Sequence, residues 1–100
     1  TYSKLDQAVT NIARLFVKHG LEKGDRVAAY SKNSDIFAIV FLACARAGLI
    51  HVPVNYQLTK DELNYILSDS DPKLILAEEA LMPFIEETEA GQKPAARASF

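Results

Sequence analysis

Apolar residues at Leu5, Val9, Ile12, Ala13 and Phe16 recur at the three- and four-residue spacing of one helix face. Ser3 supplies an N-cap with Asp6 three residues on, while Lys18, His19 and Gly20 supply a cationic last turn and a glycine stop. The spacing predicts a helix over residues 4–19. Gly24-Asp25 marks a turn, and Arg26 to Ser31 reads as a short buried strand. Asn33 or Ser34 caps a second helix over 34–47. Its body, Ile36 to Ala45, is apolar all round, and a helix without a polar stripe is expected to be covered on both sides. Gly48 ends it.

A second strand spans 50–54. Pro53 cannot donate to a ladder and is expected at the strand's end or at a bend. Asn55 to Leu58 is a connector. Thr59 and Glu62 form a capping box for a third helix over 60–68, with Leu63, Ile66 and Leu67 on its apolar face. Asp69 to Pro72 is a turn, and 73–77 a third strand. A fourth helix over 79–89 turns Leu81, Phe84 and Ile85 inward, with Pro83 in its first turn, where a missing N–H is tolerated. The small and polar residues from Gly91 to Ser99 read as loop.

Strands alternating with helices imply an α/β fold in three layers, with short parallel strands, right-handed crossovers and helices covering both sheet faces. Residues 1–90 form the α/β segment, and 91–100 are expected as a loop or disordered tail. Three strands make a small sheet whose edges need cover, which suggests a piece of something larger.

The 100 residues and 11.0 kDa bound the chain to one domain or part of one. With 49% apolar and 24% charged residues, the composition is that of a globular chain and argues against disorder, collagen or a low-complexity polymer. A net charge of −2 argues against a nucleic-acid platform. The charge is uneven: seven basic and four acidic residues up to position 59, four basic and nine acidic after it. This reads as two solvated faces of one domain. The ten-residue run Ile36–Ala45 is half the length of a membrane span, and Thr1 to Lys4 lacks an apolar signal core. No initiator Met opens the chain, so an excised or processed segment is expected. Cys44 is the sole cysteine and cannot form an internal disulfide. That fits a reducing compartment, and a cytoplasmic location is expected.

Candidate chemistry is sparse. No glycine-rich phosphate loop is present. Lys32 lies in the first strand-to-helix turn, where it could serve an anion, but a solvated lysine beside an ordinary cap accounts for it. His19 reads as a helix C-terminal residue and His51 as a satisfied interior or edge histidine. Neither belongs to a metal pattern, and Cys44 is too isolated to complete one. Buried in an apolar helix body, Cys44 is expected to be inert. The adjacent carboxylates Asp61-Glu62 and Glu86-Glu87 diverge by about 100° around a helix and do not converge on one point. The residues alone supply no catalytic constellation and no metal site. A stand-alone, non-enzymatic α/β binding module stays open on this reading.

Five segments, in order, resemble one family. Thr1-Tyr2-Ser3-Lys4-Leu5 is similar to the T-Y-x-E-L opening of the adenylate-forming acyl-CoA synthetases, the AMP-binding enzymes. Gly20 to Ala28 resembles G-(L/V)-x-x-G-D-R-V-A, and Lys32 to Phe37 resembles x-N-S-x-E-F. Ala45 to Asn55 resembles A-x-x-A-G-x-x-x-V-P-(L/V)-N, one residue shorter before the Ala-Gly. Leu58 to Leu67 matches L-T-x-x-E-L-x-Y-I-L.

The resemblance implies part of the large N-terminal domain of an adenylate-forming ligase of fatty-acid type. Such a parent uses ATP and Mg²⁺ to join a small-molecule carboxylate to AMP, then passes the acyl group to CoA. It implies that the catalytic motifs lie outside this segment, which would bind none of these cofactors itself. Its partner would be the remainder of the parent chain, with no nucleic acid and no membrane span, and a homodimer of the parent is a further expectation. Several family members read N-P-R-L where this chain has Asn55-Tyr56-Gln57-Leu58, and their Arg approaches the CoA nucleotide phosphates. By that correspondence Gln57 is the cofactor-binding candidate, uncharged but able to donate a hydrogen bond. The same resemblance extends to adenylation domains of peptide synthetases and to luciferase-like enzymes.

Overall fold

The first helix forms because one face of it can be buried, and it stops where the sequence changes hand. In a computed structural model, which describes residues 2–93 and 96–99, it is α1, Tyr2–Lys18, with Val9 and Phe16 buried and Ile12 and Leu15 packed beside them. Gly20 adopts φ +68°, and its N–H donates to Val17 O while Leu21 N–H donates to Phe16 O, each at 3.0 Å. This pair of bonds closes the last carbonyls of the helix, and it needs the left-handed conformation that glycine adopts freely. Thr1 of the first motif lies outside the described residues.

The chain then alternates as its pattern predicts: β1 (Arg26–Ser31), α2 (Ser34–Ala47), β2 (Ile50–Asn55), α3 (Lys60–Ser70) and β3 (Leu74–Ala77). Asn33 caps α2 by accepting from Asp35 N–H, and Thr59 and Glu62 form the capping box of α3. The sheet order is β2-β1-β3-β4 with every pair parallel, so β1 lies inside. Val27 and Ala29 of β1, with Leu74 and Leu76 of β3, face a core formed with α1 and α2. Ala28, Tyr30, Ile75 and Ala77 face a second core formed with α3 and the helices after β3. Two cores on opposite faces of one sheet make three layers, and the continuous apolar runs of β1 and β3 follow from being covered twice. No helix among the described residues is long and apolar enough to cross a membrane.

Four expectations need correction. The helix over 79–89 is broken into a 3-10 turn (Glu79–Leu81), α4 (Met82–Glu86) and α5 (Glu89–Gln92). Thr88 causes the second break: its Oγ1 donates to Ile85 O at 2.8 Å and accepts from Gly91 N–H at 2.9 Å, an alternative to the helical ladder. Second, residues 91–100 are not all loop. Ala96–Ser99 is β4, paired with β3 from Leu74↔Ala96 to Ala77↔Ser99. Alanine and serine carry weak strand preference, so the pairing comes from the edge that β3 offers. Pro94, Ala95 and Phe100 lie outside the described residues.

The third correction concerns Pro53, which sits within β2 and not at its end. Ile50 N–H donates to Asp25 O, so positions 50, 52 and 54 bond to β1 and the nitrogen of Pro53 faces the open edge. The fourth is α2, which is buried on one side only. Val40, Ala43 and Cys44 are buried, while Ala38, Phe41, Leu42 and Ala45 are exposed.

Gly91 is where the helices after β3 meet most closely. A β-carbon there would stand 2.1 Å from Ile85 O and 2.4 Å from Thr88 Oγ1. Asn64 Oδ1 of α3 accepts from the neighbouring Ala90 N–H at 2.9 Å. Gly91→Ala is expected to destabilise the fold by about 1–3 kcal/mol, since backbone must move to admit the methyl group. A lower urea midpoint at unchanged slope checks this, and an unchanged midpoint refutes it.

Candidate functional site

β1 leads through α2 to β2 on one side of itself, while β3 and β4 lie on the other. The boundary between β1 and β3 is therefore where open parallel sheets leave a crevice beyond the strand ends, the usual position for a ligand. Ser31 ends β1 there and is 1% exposed, and Glu78 follows β3. Glu78 Oε1 accepts from Ser31 Oγ–H at 2.5 Å and from Lys32 N–H at 2.7 Å. Ser31 Oγ in turn accepts from Asn33 N–H at 2.9 Å. Glu78 N–H donates back to Tyr30 O at 3.2 Å.

The hydrogen bond from Ser31, then that from Lys32 N–H, hold the Glu78 carboxyl below the usual carboxylate range, with smaller help from Asn33 N–H and the Lys32 charge. The chain's own carboxylate thus takes the donors that an incoming anion would use. These residues do not fit a nucleotide polyphosphate. Sequence reasoning passed over Glu78. The available signal was an acidic residue and a serine at equivalent ends of adjoining parallel strands, legible only once β1 and β3 are known to be neighbours.

The second part of this rim is the connector after β2. Asn55 Oδ1 accepts from Gln57 N–H at 2.9 Å, and Leu58 N–H donates to Asn55 O at 3.3 Å, so the connector is a tight turn. Lys32 Nζ stands 5.7 Å from the centre of the Tyr56 ring, within reach of a cation–π contact. The structure therefore brings Lys32 beside Tyr56, with Gln57 next to it on the same exposed turn. Tyr56 tethers the lysine to a connector that lacks a cation of its own.

The remaining candidates lie apart from this rim. Glu62 closes its cap by accepting from Thr59 N–H at 3.1 Å, a bond that holds its carboxyl below the usual range. Asp61 instead lines a polar hollow with Lys60, Asn64, Glu87, Thr88 and Glu89. Among the described residues no group of three His, Cys, Asp or Glu side chains could hold a metal ion. Cys44 is buried in the core, and burial pushes its thiol up to about 11. His19 follows the end of α1, as its flanking residues predict.

His51 corrects an expectation. It lies between β2 and α2, its ring 6.3 Å from those of both Phe37 and Phe41. Its Nε2 is buried without a hydrogen-bond partner. The imidazole is interior but not satisfied, and burial moves its pKa below the ordinary value.

Comparison with known proteins adds what the rim alone does not hold. Residues 1–99 match the family model described as AMP-binding enzyme. The chain is 37% identical over 90 residues to the fatty acid–acyl-carrier-protein ligase ScoC of Streptomyces coeruleorubidus, covering 90% of this chain and 17% of that one. It is 33% identical over 94 residues to the long-chain-fatty-acid–CoA ligase FadD13 of Mycobacterium tuberculosis, covering 94% of this chain and 19% of the relative. Its fold matches the N-terminal domain of FACL13 from Mycobacterium tuberculosis with a TM-score of 0.86 at 28% identity, over 99% of this chain and 26% of that structure. The chain thus spans about a fifth of the length of the curated relatives it matches.

His51 yields a pH test. Its folded pKa lies below the ordinary 6.5, so the unfolded chain takes the proton first as pH falls. The His51 contribution to stability is complete above about pH 6.5 and is lost progressively below it. His51→Leu should remove this part of the acid sensitivity. By deleting an unpartnered buried nitrogen it should also raise stability at neutral pH by about 1 kcal/mol. Urea unfolding of both forms between about pH 5 and 8 checks the claim, and parallel pH profiles would refute it.

Proposed function

The chain belongs to the AMP-binding enzyme family, and on that footing we propose that it is the scaffold-forming part of an ATP-dependent acid–thiol ligase of fatty-acid type. The parent enzyme joins a carboxylate to AMP with ATP and Mg²⁺, then passes the acyl group to the thiol of CoA. The observation that carries this reading is the family match over residues 1–99, together with relatives named as ligases of fatty acids to thiols. The reading assigns the chemistry to the remainder of the parent and gives this segment the work of support. In support of that reading, the Ser31 hydroxyl and the Lys32 N–H at the β1–β3 boundary are both engaged by Glu78. We place the parent in the cytoplasm, a reading supported within this segment by a cysteine that is buried and free.

Gln57 is the one residue here that we place near the acceptor thiol's carrier. By resemblance it stands where relatives bring an arginine to the CoA nucleotide, and the turn holds it exposed at the sheet's carboxyl end. A second reading has a carrier-protein thiol as the acceptor. It is supported by the absence of charge at Gln57 and by the relative named as an acyl-carrier-protein ligase.

Assay of the full-length parent separates these readings. Pyrophosphate release that depends on a fatty acid, followed by a thioester with CoA, is the expected result. Transfer to a phosphopantetheinylated carrier protein but not to CoA would favour the second reading. No carboxylate-dependent pyrophosphate release would overturn both. In the CoA-dependent enzyme, Gln57→Arg places a cation opposite a phosphate at an exposed site, worth about 1 kcal/mol or less. The KM for CoA should fall by up to about fivefold, and the gain should shrink as salt rises. Kinetics toward ATP and the carboxylate should not move. An unchanged KM for CoA at low ionic strength would make Gln57 a connector residue only.

A further inference from the structure

α2 carries two apolar stripes. Val40, Ala43 and Cys44 are buried against the sheet. On its other side Ala38, Phe41, Leu42 and Ala45 repeat at the spacing of a helix that packs on another helix, and all four are exposed, Phe41 at 59% and Leu42 at 40%. No charged side chain interrupts this second stripe. Arg46, next to it, is held by Asp6 of α1 at 2.8 Å. The stripe runs on to β2 through the His51 ring, which lies against Phe41 on the α2 side of the sheet.

β2 is the outer strand on this side, and its open edge is a poor template for another strand. Positions 51, 53 and 55 point away from β1. His51 and Asn55 offer N–H groups there, but Pro53 between them has none. An added strand would lose its central bond, whereas a helix satisfies its own backbone and asks nothing of the edge. Small Ala38 and Ala45 flanking bulky Phe41 and Leu42 give the ridge and recess that helix packing uses.

We propose that the outer face of α2, bordered by the β2 edge, seats an apolar helix supplied by the same polypeptide from outside residues 1–100. Relatives extend more than four-fifths of their length beyond the part that matches this chain, so the material for such a helix is present in a protein of their size. A stripe free of charge over two turns has the composition of an interior, not of a surface that opens and closes. Left bare, it would be a site of self-association.

The test uses the full-length protein with the photoreactive Phe41→p-benzoylphenylalanine substitution, which keeps an aromatic ring at the position. Irradiation should give a cross-link within one chain, to a segment outside residues 1–100 whose captured residues are apolar and three or four apart. A cross-linked dimer band, or capture of a segment with strand alternation, would overturn the proposal. Hydroxyl-radical footprinting of the unmodified protein provides an independent reading. Going from more than half exposed to nearly buried should make Phe41 about tenfold less reactive than in the urea-unfolded protein. Reactivity close to the unfolded value would mean an open face. Neither readout depends on catalysis, so loss of the proposed reaction and loss of this contact are distinguishable.

Discussion

A strand bonded along both edges and covered on both faces leaves its neighbours little freedom, and Arg26–Ser31 is such a strand. Alternate residues direct their backbone groups to opposite partners: Asp25 O receives Ile50 N–H from β2, while Arg26 O receives Lys73 N–H from the approach to β3. Val27 to Tyr30 are almost wholly shielded from solvent. The two cores exist because this strand has side chains of one kind on both faces. The crossovers follow too, because parallel partners cannot be reached by a tight turn. The rim of Ser31, Lys32 and Glu78 is the point where the same strand runs out of ladder and its last groups must bond elsewhere.

Much of this architecture is legible in the residues. Gly20 and Gly48 stop helices by conformation, Thr59 and Glu62 start one by reciprocal bonds, and the unbroken apolar runs of β1 and β3 announce double burial. What is illegible has a common origin. β4 is built from alanine, arginine and serine and exists only because Leu74–Ala77 has a vacant side. Pro53 breaks no rule once its nitrogen is known to face outward, a matter of register and not of composition. Thr88 interrupts a helical stretch through a side-chain bond that competes with the backbone ladder. Local preferences are written position by position. Pairing and competition appear only when distant positions meet.

The same division explains the site. Lys32 and Tyr56 stand out in the sequence only as a turn lysine and a connector aromatic, and it is the sheet order that sets one against the other. Glu78 shows how a fold can keep the geometry of a ligand crevice and fill it from within. A carboxylate held by a hydroxyl and a backbone amide mimics the anion that such crevices bind elsewhere. The ends of β1 and β3 are thereby tied to each other.

The bond between Ser31 and Glu78 spans 47 positions. During synthesis at about 5–20 residues per second, several seconds separate the emergence of its two ends from the ribosome. Once Ile50–Asn55 has followed, β1 can pair with β2 but still has no neighbour on its other side, and the core over Ala28 and Tyr30 lacks its β3 side chains. A nascent chain in this state has an unpaired strand edge and a bare apolar face at once, the features that lead to misassembly. The late arrival of Leu74–Ala77 closes the edge, and Glu78, the next residue to follow, fastens it.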